Sequence, residues 1–117
     1  EKIDYINAHG TGTILNDKTE SRAINELFYG LTRAPFVSST KSLHGHLIGG
    51  AGAIELVSCL LALNFDLIPP TINFETKDPE CDVNIVVNNV KEQQVDYALS
   101  NAFAFGGTNS VLIIKKF

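Results

Sequence analysis

The chain has 117 residues, 44% of them hydrophobic, which is enough for one compact domain or a piece of one, and it carries a net charge of −4 at pH 7. That balance excludes a nucleic-acid binder, because no basic patch is available to neutralise phosphates and Lys115-Lys116 is only a pair. No secretory signal opens the sequence, and Cys59 and Cys81 form neither a C-x-x-C pair nor a secreted-type disulfide pattern. A cytoplasmic setting is expected, with no metal site.

Taken in chain order, the sequence predicts alternating strands and helices. Ile3 to Ala8 reads as a short strand. Asn16-Asp17-Lys18-Thr19-Glu20 follows as an acidic helix start, with Asp17 and Glu20 at capping-box spacing. Ala23, Ile24, Leu27 and Phe28 recur at three and four residues and predict one buried stripe, with Gly30 placed to end the helix. Pro35 to Ser39 reads as a second strand. Ala51 to Phe65 is apolar on nearly every face, which predicts a helix enclosed by protein, too short and interrupted to span a membrane. Pro69-Pro70 closes this unit. Thr71 to Glu92 reads as a polar connection with a small strand at Asn84 to Val87. Tyr97 to Phe103 and Ser110 to Lys116 read as two strands joined across Gly106-Gly107-Thr108-Asn109. Val111 to Ile114 is apolar on both faces and predicts a strand inside a covered sheet.

Charge bookkeeping singles out one pair. Between Arg33 and Asp66 the only fully charged residues are Lys41 and Glu55, the latter within the enclosed helix. An unpaired buried charge costs on the order of several kcal/mol, so the two are expected to form a pair or share a network. The ammonium is then expected to favour neutral imidazole at His46, five residues on.

Two histidine segments stand at the ends of apolar runs, Asn7-Ala8-His9-Gly10-Thr11-Gly12-Thr13 and Lys41-Ser42-Leu43-His44-Gly45-His46, the second running into Leu47-Ile48-Gly49-Gly50-Ala51-Gly52. Strand-end loops rich in glycine let backbone and substrate approach closely, and imidazole changes charge near neutral pH, so the two loops are expected to bring His9 and His46 to one substrate atom. His44 reads as a surface or supporting residue. The glycines before the helix read either as an anion-binding entrance or as close helix-to-sheet packing; a Walker lysine and a G-x-G-x-x-G spacing are both absent.

These residues carry a resemblance. Asn7 to Thr13, Ser38-Ser39-Thr40-Lys41-Ser42 with Gly45-His46, Gly52-Ala53-Ile54-Glu55, Pro69-Pro70-Thr71-Ile72-Asn73 and Phe105-Gly106-Gly107-Thr108-Asn109 resemble, in order and spacing, the C-terminal signatures of beta-ketoacyl-acyl carrier protein synthases of the synthase I and II group. Polyketide ketosynthases share much of the pattern.

The resemblance implies an α/β, thiolase-like fold of which residues 1–117 form part of the C-terminal half, a mixed sheet covered by helices, and a homodimer at full length. It also implies a decarboxylative Claisen condensation of an acyl thioester with malonyl-acyl carrier protein in fatty acid biosynthesis. Acyl carrier protein would be the partner, and its phosphopantetheine arm would leave the enzyme needing no cofactor of its own. By position His9 and His46 match the catalytic histidines, Lys41 and Glu55 a catalytic lysine and its acidic partner, Thr11 and Thr13 the residues that bond the phosphopantetheine arm, and Phe105 the gate of the acyl pocket. The family nucleophile is a cysteine from an earlier segment, and neither Cys59 nor Cys81 takes its place, so the 117 residues alone are expected to be inactive. The alternatives are a polyketide ketosynthase or a noncatalytic partner subunit resembling a chain-length factor. Ala104 departs from the glycine usual in synthase II enzymes and is expected to restrict the Phe105 loop; Gly50, where alanine is common, is a milder departure.

Overall fold

The computed structural model describes residues 2–117. Four strands form one mixed sheet in the order β2, β1, β5, β6: β1 (Tyr5–Asn7), β2 (Phe36–Ser38), β5 (Tyr97–Ala104) and β6 (Thr108–Lys115). β1 lies parallel to both β2 and β5, with Tyr5 opposite Phe36 and Ala98, and Asn7 opposite Ser38 and Ser100. β6 returns antiparallel along β5, with Leu99 opposite Ile113. A second, two-stranded sheet pairs β3 (Leu67–Ile68) with β4 (Lys91–Glu92). The small strand expected at Asn84 to Val87 amounts to single parallel bridges, Val37 with Ile85 and Thr71 with Val87.

Alternation along the strands sorts the core into two faces. Tyr5 and Ala98 pack with Cys59, Ala62 and Leu63 of α3 (Ala51–Phe65), while Ile6, Ala8 and Leu99 pack with Ile24 of α1 (Ile14–Phe28). The central strands are therefore covered on both sides. The bounds of α3 are those read from the sequence, and Asp66 caps it in the left-handed conformation.

Four expectations change. α1 begins at Ile14 rather than beyond Asn16, because the Thr13 hydroxyl accepts the Asn16 N–H as N-cap. Its buried stripe is Glu20, Ser21 and Ile24, whereas Ala23 and Leu27 are exposed. Helix α3 is enclosed on one side only: Val57, Leu60, Leu61 and Phe65 are exposed. β6 is an edge strand rather than an interior one: no strand of the described residues pairs with its outer side, and although Ile114 packs against the α3 side of the core, Val111, Leu112 and Ile113 are exposed.

The apolar run Ile48–Phe65 reaches 18 residues at a mean hydropathy of 1.7, long and apolar enough by composition to cross a membrane, which the sequence reading did not allow. Its packing is that of a core helix. A 3-10 turn at Ile48–Gly50 precedes α3, the helix lies on the sheet, and it buries Glu55.

Candidate active site

Three parallel strands end on one edge of the sheet, and the loops leaving that edge converge. β1 runs into His9, β2 into the short helix α2 (Lys41–His44) and onward to His46, and β5 ends at Phe103 and Ala104. The His9 and His46 rings meet edge to face, centroids 5.7 Å apart at 85°, and His9 also lies 5.4 Å from the Phe103 ring. The expectation that the two loops converge is met by this geometry.

Lys41 and Glu55 form the expected buried ion pair between α2 and α3. Glu55 Oε2 finds no hydrogen-bond partner among the described residues, and neither does His9 Nδ1. The field of the ammonium bears on His9, a residue the sequence spacing did not connect to it. Burial and then Lys41 hold the His9 imidazole below its ordinary pKa, against the opposing carboxylates of Glu20 and Glu55. His9 is therefore neutral at neutral pH.

Glu20 is the residue that sequence reasoning misassigned. Instead of capping α1 it turns inward: Oε1 accepts the His9 N–H at 2.9 Å and Asn101 Nδ2 at 3.0 Å, while Oε2 accepts the Gly10 N–H at 2.9 Å and Asn16 Nδ2 at 3.3 Å. One carboxylate thus holds two successive backbone donors of the His9 loop. The signal was present in the spacing, because Glu20, Ile24 and Phe28 recur every four residues on one helix face. From the other side the Ser39 hydroxyl donates to the Gly10 carbonyl at 2.7 Å. Gly10 has φ +42, and a Cβ there would lie 2.5 Å from Ser39 Cβ, so only glycine fits.

His46 is exposed and its Nδ1 accepts the Ile48 N–H at 3.1 Å. With Nδ1 an acceptor, the neutral ring carries its proton on Nε2, which makes it a hydrogen-bond donor to whatever it faces. Ile48 has φ +50, the left-handed region that β-branched residues avoid.

A groove of about 570 Å³ runs beside these groups, its walls including Gly10, Thr11, Ser39, Lys41, Ser42 and His46. Thr11 and Thr13 hydroxyls lie 3.1 Å apart, but Thr13 is outside the groove walls and its oxygen is engaged at the start of α1. Phe105 is fully exposed in a 3-10 turn, Phe105–Gly107. Ala104 is extended, φ −134 and ψ 167, a conformation open to any residue, so its departure from glycine imposes no strain here. The glycines before α3 admit a Cβ: nothing lies within 4 Å at Gly49 or Gly52, and only Leu47 Cβ, at an ordinary 3.7 Å, at Gly50, so close packing within this chain does not account for them. Burial and the Glu55 carboxylate push the Cys59 thiol up to about 12, which makes it a poor nucleophile. No group of three or more His, Cys, Asp or Glu side chains suited to a metal occurs among the described residues.

Comparison with known proteins matches residues 1–75 to the C-terminal domain of beta-ketoacyl synthases. The chain belongs to this family. It is 50% identical over 117 residues to 3-oxoacyl-[acyl-carrier-protein] synthase 2 of Synechocystis sp., all of this chain and 28% of that protein. It is 47% identical over 116 residues to Nodulation protein E of Rhizobium meliloti, 99% of this chain and 29% of that protein. It superimposes at a TM-score of 0.94 and 34% identity on the complex of a type II PKS acyl-carrier protein with its ketosynthase bound to the hexaketide, covering 99% of this chain and 28% of that one. The mixed sheet and its helices are those of the C-terminal, thiolase-like half of a ketosynthase. The chain spans less than a third of the length of the relatives it matches.

Proposed function

We propose that the chain supplies the enolate-stabilising part of a 3-oxoacyl-[acyl-carrier-protein] synthase, an acyltransferase acting in fatty acid biosynthesis. The observation that carries this reading is the edge-to-face pair of His9 and His46, with His9 held neutral and His46 presenting Nε2–H. A malonyl thioester whose carbonyl oxygen lies against both rings would lose carbon dioxide. The electron pair of the broken C–C bond passes into an enolate, and the imidazole donors stabilise its oxygen. The carbanion then attacks an acyl thioester on a cysteine, forming the new C–C bond and expelling the thiolate. Burial and then Lys41, anchored by Glu55, disfavour protonation of His9, Thr11 and Thr13 bond the phosphopantetheine arm, and Phe105 gates the acyl pocket.

The family resemblance implies a nucleophile in a part of the protein outside these 117 residues; Cys59 is buried with a raised pKa, and Cys81, on the groove wall, comes from the 71–92 connection. Acyl carrier protein, which the Synechocystis relative's name includes, is the partner; the working enzyme is a homodimer in the cytoplasm. Retention of His9, Lys41, Glu55 and His46 together favours this reading over a noncatalytic partner subunit. The test is to supply malonyl- and acyl-carrier protein to the full-length protein and to residues 1–117. Full-length protein should yield 3-oxoacyl product by mass spectrometry, and His9→Ala or His46→Ala should abolish carbon dioxide release. Product from residues 1–117 alone would refute the assignment of the nucleophile, and none from the full-length protein would refute the activity.

A further inference from the structure

His44 takes no part in the chemistry above, yet it ends a hydrogen-bond chain that runs directly behind the site. Its Nδ1 lies 2.8 Å from the Gly45 carbonyl, which can only accept, so Nδ1 carries the proton and Nε2 of the neutral ring is bare. Nε2 lies 3.2 Å from Thr40 Oγ1, and the single hydroxyl proton of Thr40, for which Asn7 Oδ1 at 3.3 Å is the other acceptor, is donated to this bare ring nitrogen. The same Thr40 oxygen, fully buried, accepts from Asn7 Nδ2 at 3.0 Å, and Asn7 Nδ2 also reaches the Glu55 carbonyl at 3.4 Å. With the Thr40 proton toward His44 the series runs from Asn7 through Thr40 to His44 and on to Gly45, whereas the bond back from Thr40 to Asn7 Oδ1 would leave Nε2 without its donor.

The members of this series are sequence neighbours of the site residues. Asn7 precedes His9 by two positions, Thr40 precedes Lys41, Gly45 precedes His46, and Glu55 is the partner of Lys41. Gly45 has φ +78 and ψ 177, and at this turn the chain leaves α2 toward His46. The His44 ring thus ties the turn that launches His46 to the strand end that launches His9, across two separate elements of the fold.

We propose that His44 is a positioning residue that sets the mutual placement of His9 and His46 through Thr40 and Gly45. The proposal rests on the synthase reading for its kinetic consequence and on the hydrogen bonds alone for its structural one. Three variants of the full-length protein separate the bonds. His44→Leu keeps bulk and removes both, His44→Gln retains an acceptor oxygen for Thr40, and His44→Asn retains a donor for Gly45. Misplacing a reacting group by a fraction of an ångström predicts that His44→Leu lowers kcat for malonyl-carrier decarboxylation about ten-fold with KM changed by less than about two-fold. The Gln and Asn variants should each recover part of that loss. A wild-type kcat in His44→Leu, or the same loss in all three, would overturn the proposal. Crystal structures of the variants give a second reading independent of activity. His44→Leu should show the Thr40 hydroxyl turned from its place or the bond from Ile48 N–H to His46 broken, and an unaltered Asn7, Thr40 and His46 would overturn the proposal. Should the leucine variant fail to fold, the Gln and Asn variants carry both measurements, each keeping one anchor and losing the other. If the wild-type protein does not decarboxylate malonyl-carrier protein, the synthase reading fails while the crystallographic comparison still decides the placement.

Discussion

Around β1 the chain completes its own environment: Glu55 is paired with Lys41, Glu20 accepts four donors, and the His9 loop is gripped between Glu20 and Ser39. Along β6, two strands from β1 in the sheet order, and in the Phe105 turn, apolar side chains stand uncovered. The first region holds charges that could not survive burial without partners, so its interactions must be internal. The second exposes the apolar run Val111 to Ile113 and Phe105 beside polar residues and no buried charge, and such groups tolerate being left open within a chain that spans a fraction of its relatives' length. The histidine and lysine groups of the site are thus preorganised by this chain, whereas the Phe105 turn is not.

Breaking the buried region should cost most. Glu55→Ala leaves the Lys41 ammonium buried and unpaired, and the full-length protein should lose about 3–5 kcal/mol of stability in urea unfolding. Replacing both, Lys41→Met with Glu55→Leu, should restore much of it; equal losses for single and double variants would show that the pair is not the cause. Gly10→Ala should cost about 2 kcal/mol by the same measurement, because the left-handed backbone and the Ser39 contact both resist a methyl group.

A smaller effect concerns pH. The native His9 pKa lies below the ordinary 6.5 of an unfolded imidazole, so the unfolded chain binds more protons between those two values. This contribution to stability is complete above about pH 6.5 and declines as pH falls through the window toward the native pKa, and thermal melts of His9→Leu should lack that decline. Smallest of all, Phe105→Ala should change stability by no more than about 0.5 kcal/mol while slowing condensation, and a large stability loss would place Phe105 in a packed core.

Much of this was legible in the sequence where local physics decides. The apolar run from Ala51 to Phe65 predicted the bounds of α3, and the isolation of Lys41 and Glu55 among apolar neighbours predicted the ion pair. Glu20 was legible only in part: it shares a helix face with Ile24 and Phe28, but the same acidic spacing serves a helix start and an inward anchor, and the choice depends on Asn101, 81 residues away. The same capping-box spacing of Asp17 and Glu20 placed the start of α1 too late, since the helix already includes the exposed Ile14 and Leu15. For β6 the apolar pattern described what the strand is suited to, and topology placed it at an edge.

The Ile48 backbone conformation sets two demands on one residue against each other. A sequence selected for stability alone would place glycine or asparagine at a left-handed position. Isoleucine there stiffens the turn whose N–H meets His46, so the strain it carries and the alignment of that imidazole rise and fall together. Consensus-style stabilisation of this chain, applied without regard to its chemistry, would target this position and would trade imidazole alignment for melting temperature.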